Sequence, residues 1–253
     1  MTPQGICILS DFLPAASHSP SHNTSHCTSH KTPNSTSNNT SDCTIPDSVN
    51  ILVLASGGGT NLQALIDAEA RGDLGKGRIR AVLSDRKDAY ALDRAKTANI
   101  EAVAAELDKK KPREERRREL SDFIFGFAQA RYIGLIVYAG FLWILKGKII
   151  EAYSGRMLNI HPALLPGFGG RGMYGENVHK AVLASGAVES GCTVHLVDAG
   201  TDTGPIILQR KVPVMSGDTP ESLAERILKE EHTAIVDAVK IMVEKIYSGN
   251  LLA

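Results

Sequence analysis

From residue 49 onward, short apolar runs alternate with stretches whose apolar residues recur at helical spacing, and few folds tolerate that order. Residues 49–55 are almost continuously apolar, as expected of a strand buried on both faces. Leu62, Leu65 and Ile66 then mark one stripe of a helix. Further strands are predicted at 79–83, 101–104 and 133–138, separated by helices at 89–98 and 112–130. The repeated strand–helix order implies an α/β fold: a doubly wound, mostly parallel sheet with helices on both faces. Residues 193–197 and 206–214 lie close together and read as an antiparallel hairpin, and a long helix over about 219–246 closes the unit. One domain over 49–253 is the simplest organisation.

Composition changes abruptly near residue 48. Residues 15–48 are dominated by Ser, Thr, Asn, His and Pro, so 1–48 is expected to be a disordered, low-complexity tail that cannot offset the entropy of ordering itself. Within it His18, His22, His26 and His30 recur every four residues. That spacing would align imidazoles on one face of a helix, but Pro20 and the Ser/Thr/Asn background oppose a helix, and no metal is expected. The Asn-X-Ser/Thr triplets at Asn23, Asn34, Asn38 and Asn39 matter only in a secreted protein.

Charge and cysteine usage narrow the class. Lys plus Arg (28) equals Asp plus Glu (28), which argues against a nucleic-acid partner. No apolar stretch approaches bilayer length, and the short run at residues 5–9 lacks the basic flank of a secretory signal. Four cysteines, at 7, 27, 43 and 192, make no disulfide framework, so a cytoplasmic setting and small-molecule partners are expected.

Three segments carry chemistry. Residues 55–62 put three consecutive glycines, Gly57, Gly58 and Gly59, between the first strand and the first helix. Such a loop is either a tight turn or a backbone cradle for phosphate, with Thr60 or Asn61 capping the helix. It is neither a Walker loop nor a clear dinucleotide fingerprint. In the second segment Asn159 and His161 alternate on an extended stretch ahead of Pro162, so both side chains point to one face. An amide beside an imidazole suits a developing oxyanion, although a buried structural histidine would look the same. The third segment, residues 198–205, places Asp198 and Asp202 in a Gly-containing loop, as turn formers or as a carboxylate orienting His161. Cys192 reads as a small buried residue and His195 as a structural histidine.

Together, Ser56–Gln63, Ala139-Gly140-Phe141, Leu158–Pro162 and Asp202–Gln209 resemble the phosphoribosylglycinamide formyltransferase family, over about residues 49–246. The resemblance implies transfer of a formyl group from 10-formyltetrahydrofolate, used as co-substrate without a metal, to the amine of 5-phosphoribosylglycinamide in purine biosynthesis. It implies that Asn159, His161 and Asp202 are catalytic, with His161 protonated and Asp202 favouring that form. Gly59, Thr60, Asn61 and Glu231 would bind the phosphorylated substrate. Leu142, Trp143, Ile144 and Leu145, with Asn159, Asp198 and Arg113, would bind the folate.

Some positions depart from the family pattern. The loop 167–177 differs from the shorter one that follows the histidine in familiar members, Leu228 stands where some relatives have a polar contact, and Thr203 replaces a glycine found in some. Methionyl-tRNA formyltransferase would need an extra C-terminal domain, and formyltetrahydrofolate deformylase a folded N-terminal one. Sugar-nucleotide formyltransferases share the trio, but the glycine loop suits a simple phosphate better. A nucleotide-binding module without catalysis is the alternative from another class.

Overall fold

The computed structural model describes residues 6–9 and 47–250. Its strands are β1 (Ile6–Leu9), β2 (Val49–Leu54), β3 (Gly77–Ser84), β4 (Glu101–Leu107), β5 (Ile133–Tyr138), β6 (Met157–His161), β7 (Glu189–Leu196) and β8 (Ile206–Pro213). The helices are α1 (Thr60–Ala70), α2 (Tyr90–Thr97), α3 (Arg113–Ala130), α4 (Lys148–Ala152), α5 (Glu176–Ala184) and α6 (Pro220–Tyr247). All eight strands join one sheet in the order β1-β4-β3-β2-β5-β6-β7-β8. The five strands from β4 to β6 run parallel, while β7, β8 and β1 are antiparallel to their neighbours.

The apolar run of β2 explains why the sheet is covered twice. Ile51 and Val53 pack into one core with residues of α1, α2 and α6, whereas Leu52 and Leu54 face a second core with α3 and α4. Strand periodicity sends alternate side chains to opposite faces, so a run apolar at every position must be sandwiched. Truncating one of these fully buried leucines to alanine would cost roughly 2–5 kcal/mol.

The strand order reverses direction at β2. The chain moves from β2 outward through β3 to β4, then returns to the other side of β2 as β5 and continues to β6. The chain leaves β2 and β5 toward opposite faces of the sheet, and the carboxyl ends of strands at such a switch point are the usual ligand position in open α/β sheets.

Two features differ from the sequence expectation. The tail expected over 1–48 contains β1, whose four residues pair antiparallel with β4; residues 10–46, including the spaced histidines and the Asn-X-Ser/Thr triplets, lie outside the described residues. The short helices α4 and α5 escaped the periodicity reading, since helices of 5 and 9 residues offer too few turns for a stripe to emerge. Among the described residues, no helix is long and apolar enough to cross a membrane.

Candidate active site

The glycine loop follows β2 directly and turns into α1 through Gly59, which adopts a left-handed φ of 70°. A β-carbon there would lie 2.8 Å from that of Ala91 on α2, so both conformation and space require glycine. The expected cap at Thr60 or Asn61 is not formed. Gly59 is itself the N-cap, no side chain caps the helix, and Asn61 turns inward instead. The Nδ2 of Asn61 donates to Glu231 Oε2 at 2.8 Å, joining α1 to α6.

The orientation of the loop's peptide groups matters more than its glycine count. The carbonyls of Gly57, Gly58 and Gly59 accept, respectively, from Ala91 N at 3.1 Å, Arg94 Nε at 2.8 Å and Gln63 N at 2.9 Å. Conversely, the backbone N–H groups of residues 57–62 find no acceptor among the described residues. A run of free N–H groups at a helix N-terminus, with its carbonyls tied back, is an anion cradle.

The neighbouring loop is fastened to this cradle. Ser56 N donates to Gly140 O at 3.1 Å, and Ser56 Oγ accepts from Leu142 N at 3.1 Å. That places Leu142, Trp143, Ile144 and Leu145 beside the glycine loop, with Leu142 (57% exposed) and Ile144 turned to solvent and Leu145 buried. The Trp143 indole donates to Asp85 Oδ2 at 2.9 Å, and the Arg113 guanidinium, from the first turn of α3, lies 5.7 Å from its ring centroid. These residues offer a partly apolar wall and one aromatic edge, suited to a flat heterocycle with an anionic tail.

On the far side of β5 a second constellation assembles from side chains. Asn159 and His161 share one face of β6, and the register sets His195 of β7 directly across from Asn159. The Asn159 amide lies 3.0 Å from His195 Nε2. The Nδ1 of His195 donates to Leu196 O at 2.8 Å, which leaves Nε2 to accept the Asn159 N–H. Asp202, held at a positive φ of 58°, reaches between the two imidazoles. Its carboxylate is 3.8 Å from His161 Nδ1 and 3.6 Å from His195 Nε2, longer than a hydrogen bond but close enough to stabilise a proton arriving on either ring.

The loop 167–177 is part of this constellation. His161 Nε2 donates to Phe168 O at 2.8 Å, and Gly170 N donates to Asp202 Oδ2 at 3.0 Å. Its departure from the more familiar loop therefore touches both side chains through backbone atoms. Thr203, the other departure, donates its hydroxyl to Asp198 Oδ1 at 2.7 Å, and the same oxygen accepts from Gly200 N. That pair stiffens the turn that presents Asp202.

Electrostatics correct one expectation. His161 was expected to be protonated, but burial pulls its pKa below the usual imidazole value, and neither the Phe168 carbonyl nor Asp202 reverses the shift. The ring is neutral, with its proton on Nε2 and a lone pair on Nδ1 facing Asp202. Burial raises the Asp202 pKa, but the nearby imidazoles of His195 and His161 and the hydrogen bond from Gly170 N–H together bring it below the usual carboxylate value. Glu231 shifts the other way: burial raises its pKa against the Asn61 hydrogen bond. Cys192 is fully buried, and desolvation pushes its thiol up to about 12, so it is not a nucleophile.

His195, read from the sequence as a structural histidine, stands against the reacting group. It is 2% exposed, as a structural histidine would be, yet it links Asn159 to Asp202. The clue was its position across a hairpin from Asn159, which only strand register makes visible.

A doubly wound sheet with a cradle of free N–H groups at its switch point and an amide–imidazole–carboxylate group two strands away is the framework in which the comparisons place the chain. The chain belongs to the formyl transferase family, whose model matches residues 49–239. It is 41% identical over 187 residues to phosphoribosylglycinamide formyltransferase of Escherichia coli, covering 73% of this chain and 82% of that protein. It is 37% identical over 195 residues to the chloroplastic phosphoribosylglycinamide formyltransferase of Vigna unguiculata, covering 77% of this chain but 61% of that protein's length. Among solved structures, glycinamide ribonucleotide transformylase 1 from Symbiobacterium toebii matches with a TM-score of 0.69 at 41% identity, covering 79% of this chain and 89% of the other.

Proposed function

We propose that this chain transfers a formyl group from 10-formyltetrahydrofolate to the amine of 5-phosphoribosylglycinamide, a step of purine biosynthesis. The observation that carries the reading is the placement of three parts at the carboxyl ends of neighbouring strands: the cradle of free N–H groups after β2, the 142–145 wall after β5, joined to the cradle through Ser56, and the His161 group at the end of β6. The family and the relatives named above support the same chemistry.

In this reading Gly59, Thr60 and Asn61 hold the substrate phosphate through backbone N–H groups, and Glu231, bonded to Asn61, receives polar groups of the substrate beside them. Leu142, Trp143, Ile144 and Leu145 flank the pterin, with Asn159 and Asp198 completing its pocket and Arg113 meeting the acidic tail of the folate. The neutral amine attacks the formyl carbon and a carbon–nitrogen bond forms. The bond from that carbon to the folate nitrogen breaks, and the proton lost by the amine is returned to the leaving nitrogen.

Negative charge grows on the formyl oxygen between these events. The Asn159 amide stabilises it, such a donor being worth roughly 3–4 kcal/mol in comparable sites, and the His161 Nε2–H would join it by leaving the Phe168 carbonyl. Because His161 Nδ1 faces Asp202, the ring gains basicity as the oxyanion develops and can carry the proton. A reducing, cytoplasmic setting fits the free, buried thiol of Cys192.

The test is direct. Purified protein mixed with both substrates should change the folate absorbance only when both are present. Tight nucleotide binding with no folate turnover would instead support a binding module and overturn the proposal.

A further inference from the structure

We infer that Arg94, on the second turn of α2, is a positioning residue that sets the affinity of the glycine cradle for phosphate. Three observations carry this. First, Arg94 Nε donates to Gly58 O at 2.8 Å and Nη1 donates to Gln63 Oε1 at 2.9 Å, so one guanidinium ties the middle of the loop to the first turn of α1. Without it, the Gly58 peptide has no other tie among the described residues and is free to turn its carbonyl toward the anion. A carbonyl turned inward would remove one N–H and add one repulsive oxygen, which is why nests of this kind are so sensitive to a single peptide's orientation.

Second, Arg94 is without a carboxylate partner within 4.0 Å among the described residues, whereas Arg71 and Arg86 are both paired with acids. Its ring-facing side is stacked on Tyr90, with the guanidinium carbon 4.8 Å from the ring centroid, which fixes the plane without neutralising the charge. Third, its side chain lines an open cleft of about 540 Å³ together with Thr60, Gln63 and His232. None of Gly57, Gly58 or Gly59 lines that cleft, which also holds Asp67 and Asp237, so Arg94 reaches the loop through the Gly58 carbonyl rather than through the cleft itself.

Arginine suits the position because its planar fork serves a carbonyl and an amide at once and keeps its charge at any working pH. A lysine could supply charge but not both bonds. The inference rests on the proposed phosphorylated substrate, yet its test need not. Inorganic phosphate should be titrated into the wild-type protein and into Arg94→Leu and Arg94→Lys, alongside steady-state kinetics with both substrates. Arg94→Leu should weaken phosphate binding and raise the KM of the phosphorylated acceptor by about tenfold or more, the usual scale for a charged hydrogen bond, with kcat and the folate KM within about twofold. Arg94→Lys should recover only part of that loss. Unchanged phosphate affinity in a folded Arg94→Leu protein, or a fall in kcat with no change in KM, would overturn the inference. Loss of turnover in the wild type with phosphate binding intact would instead count against the proposed reaction alone.

Discussion

The two halves of the crevice are built in different ways. The cradle after β2 is made of backbone: consecutive glycines, one left-handed residue, and peptide N–H groups aligned by the start of α1. The group beyond β5 is made of side chains drawn from β6, β7 and the loop that carries Asp202, and it exists only because β7 pairs with β6 in one register. A backbone site is insensitive to most substitutions but intolerant of any change in conformation. A side-chain site is the reverse: its scaffold tolerates replacement, and its chemistry does not.

That contrast sets the order of expected effects. Replacing His161 with alanine should lower kcat by about 10²–10⁴ while leaving the acceptor KM within a few-fold, as measured by steady-state kinetics on protein shown to be folded by circular dichroism. His195→Phe keeps the ring's shape but leaves the Asn159 amide unpaired. It should reduce kcat by about ten- to a hundredfold, which a purely structural histidine would not do. Gly59→Ala acts on the other half. Its positive φ and the close approach of Ala91 should cost roughly 1–2 kcal/mol or more in urea unfolding, and the acceptor KM should rise with little change in kcat.

The smallest effect is on stability against pH. His161, His179 and His232 all have pKa values lowered chiefly by burial from a starting value of 6.5. As pH falls below 6.5 the unfolded chain takes up protons that the folded protein refuses, so the stability present above that pH is lost progressively toward the folded pKa values. Asp202, lowered from 3.8, adds a second loss at lower pH, as the carboxylate is protonated in the folded state. Thermal melts between pH 7 and 5 should therefore show a falling Tm, and His179→Gln, with its imidazole outside the reacting group, should flatten the slope. An unchanged slope in that variant would remove His179 from the account.

The same contrast explains what the sequence made legible. The parallel core could be read because β2 and β5 are apolar at nearly every position, and the cradle because its glycines are contiguous and sit between a strand and a helix. The helix cap could not be read: Thr60 and Asn61 have capping side chains, but Asn61 is claimed by Glu231, 170 residues away. The convergence of Asp202 on His161 came from family resemblance, since nothing local requires a loop after β7 to meet a strand 41 positions earlier. The neutral state of His161 depends on burial by its neighbours, and the role of His195 on a register that only pairing reveals.

If the two halves grip opposite ends of one substrate, removing the phosphate should silence the cradle and leave the side-chain group working. The acceptor with and without its phosphate should be compared in the wild-type protein and in Gly59→Ala, as a thermodynamic cycle on kcat/KM. The account predicts that Gly59→Ala costs about tenfold with the phosphorylated acceptor and almost nothing with the dephosphorylated one. Equal losses with both would contradict it.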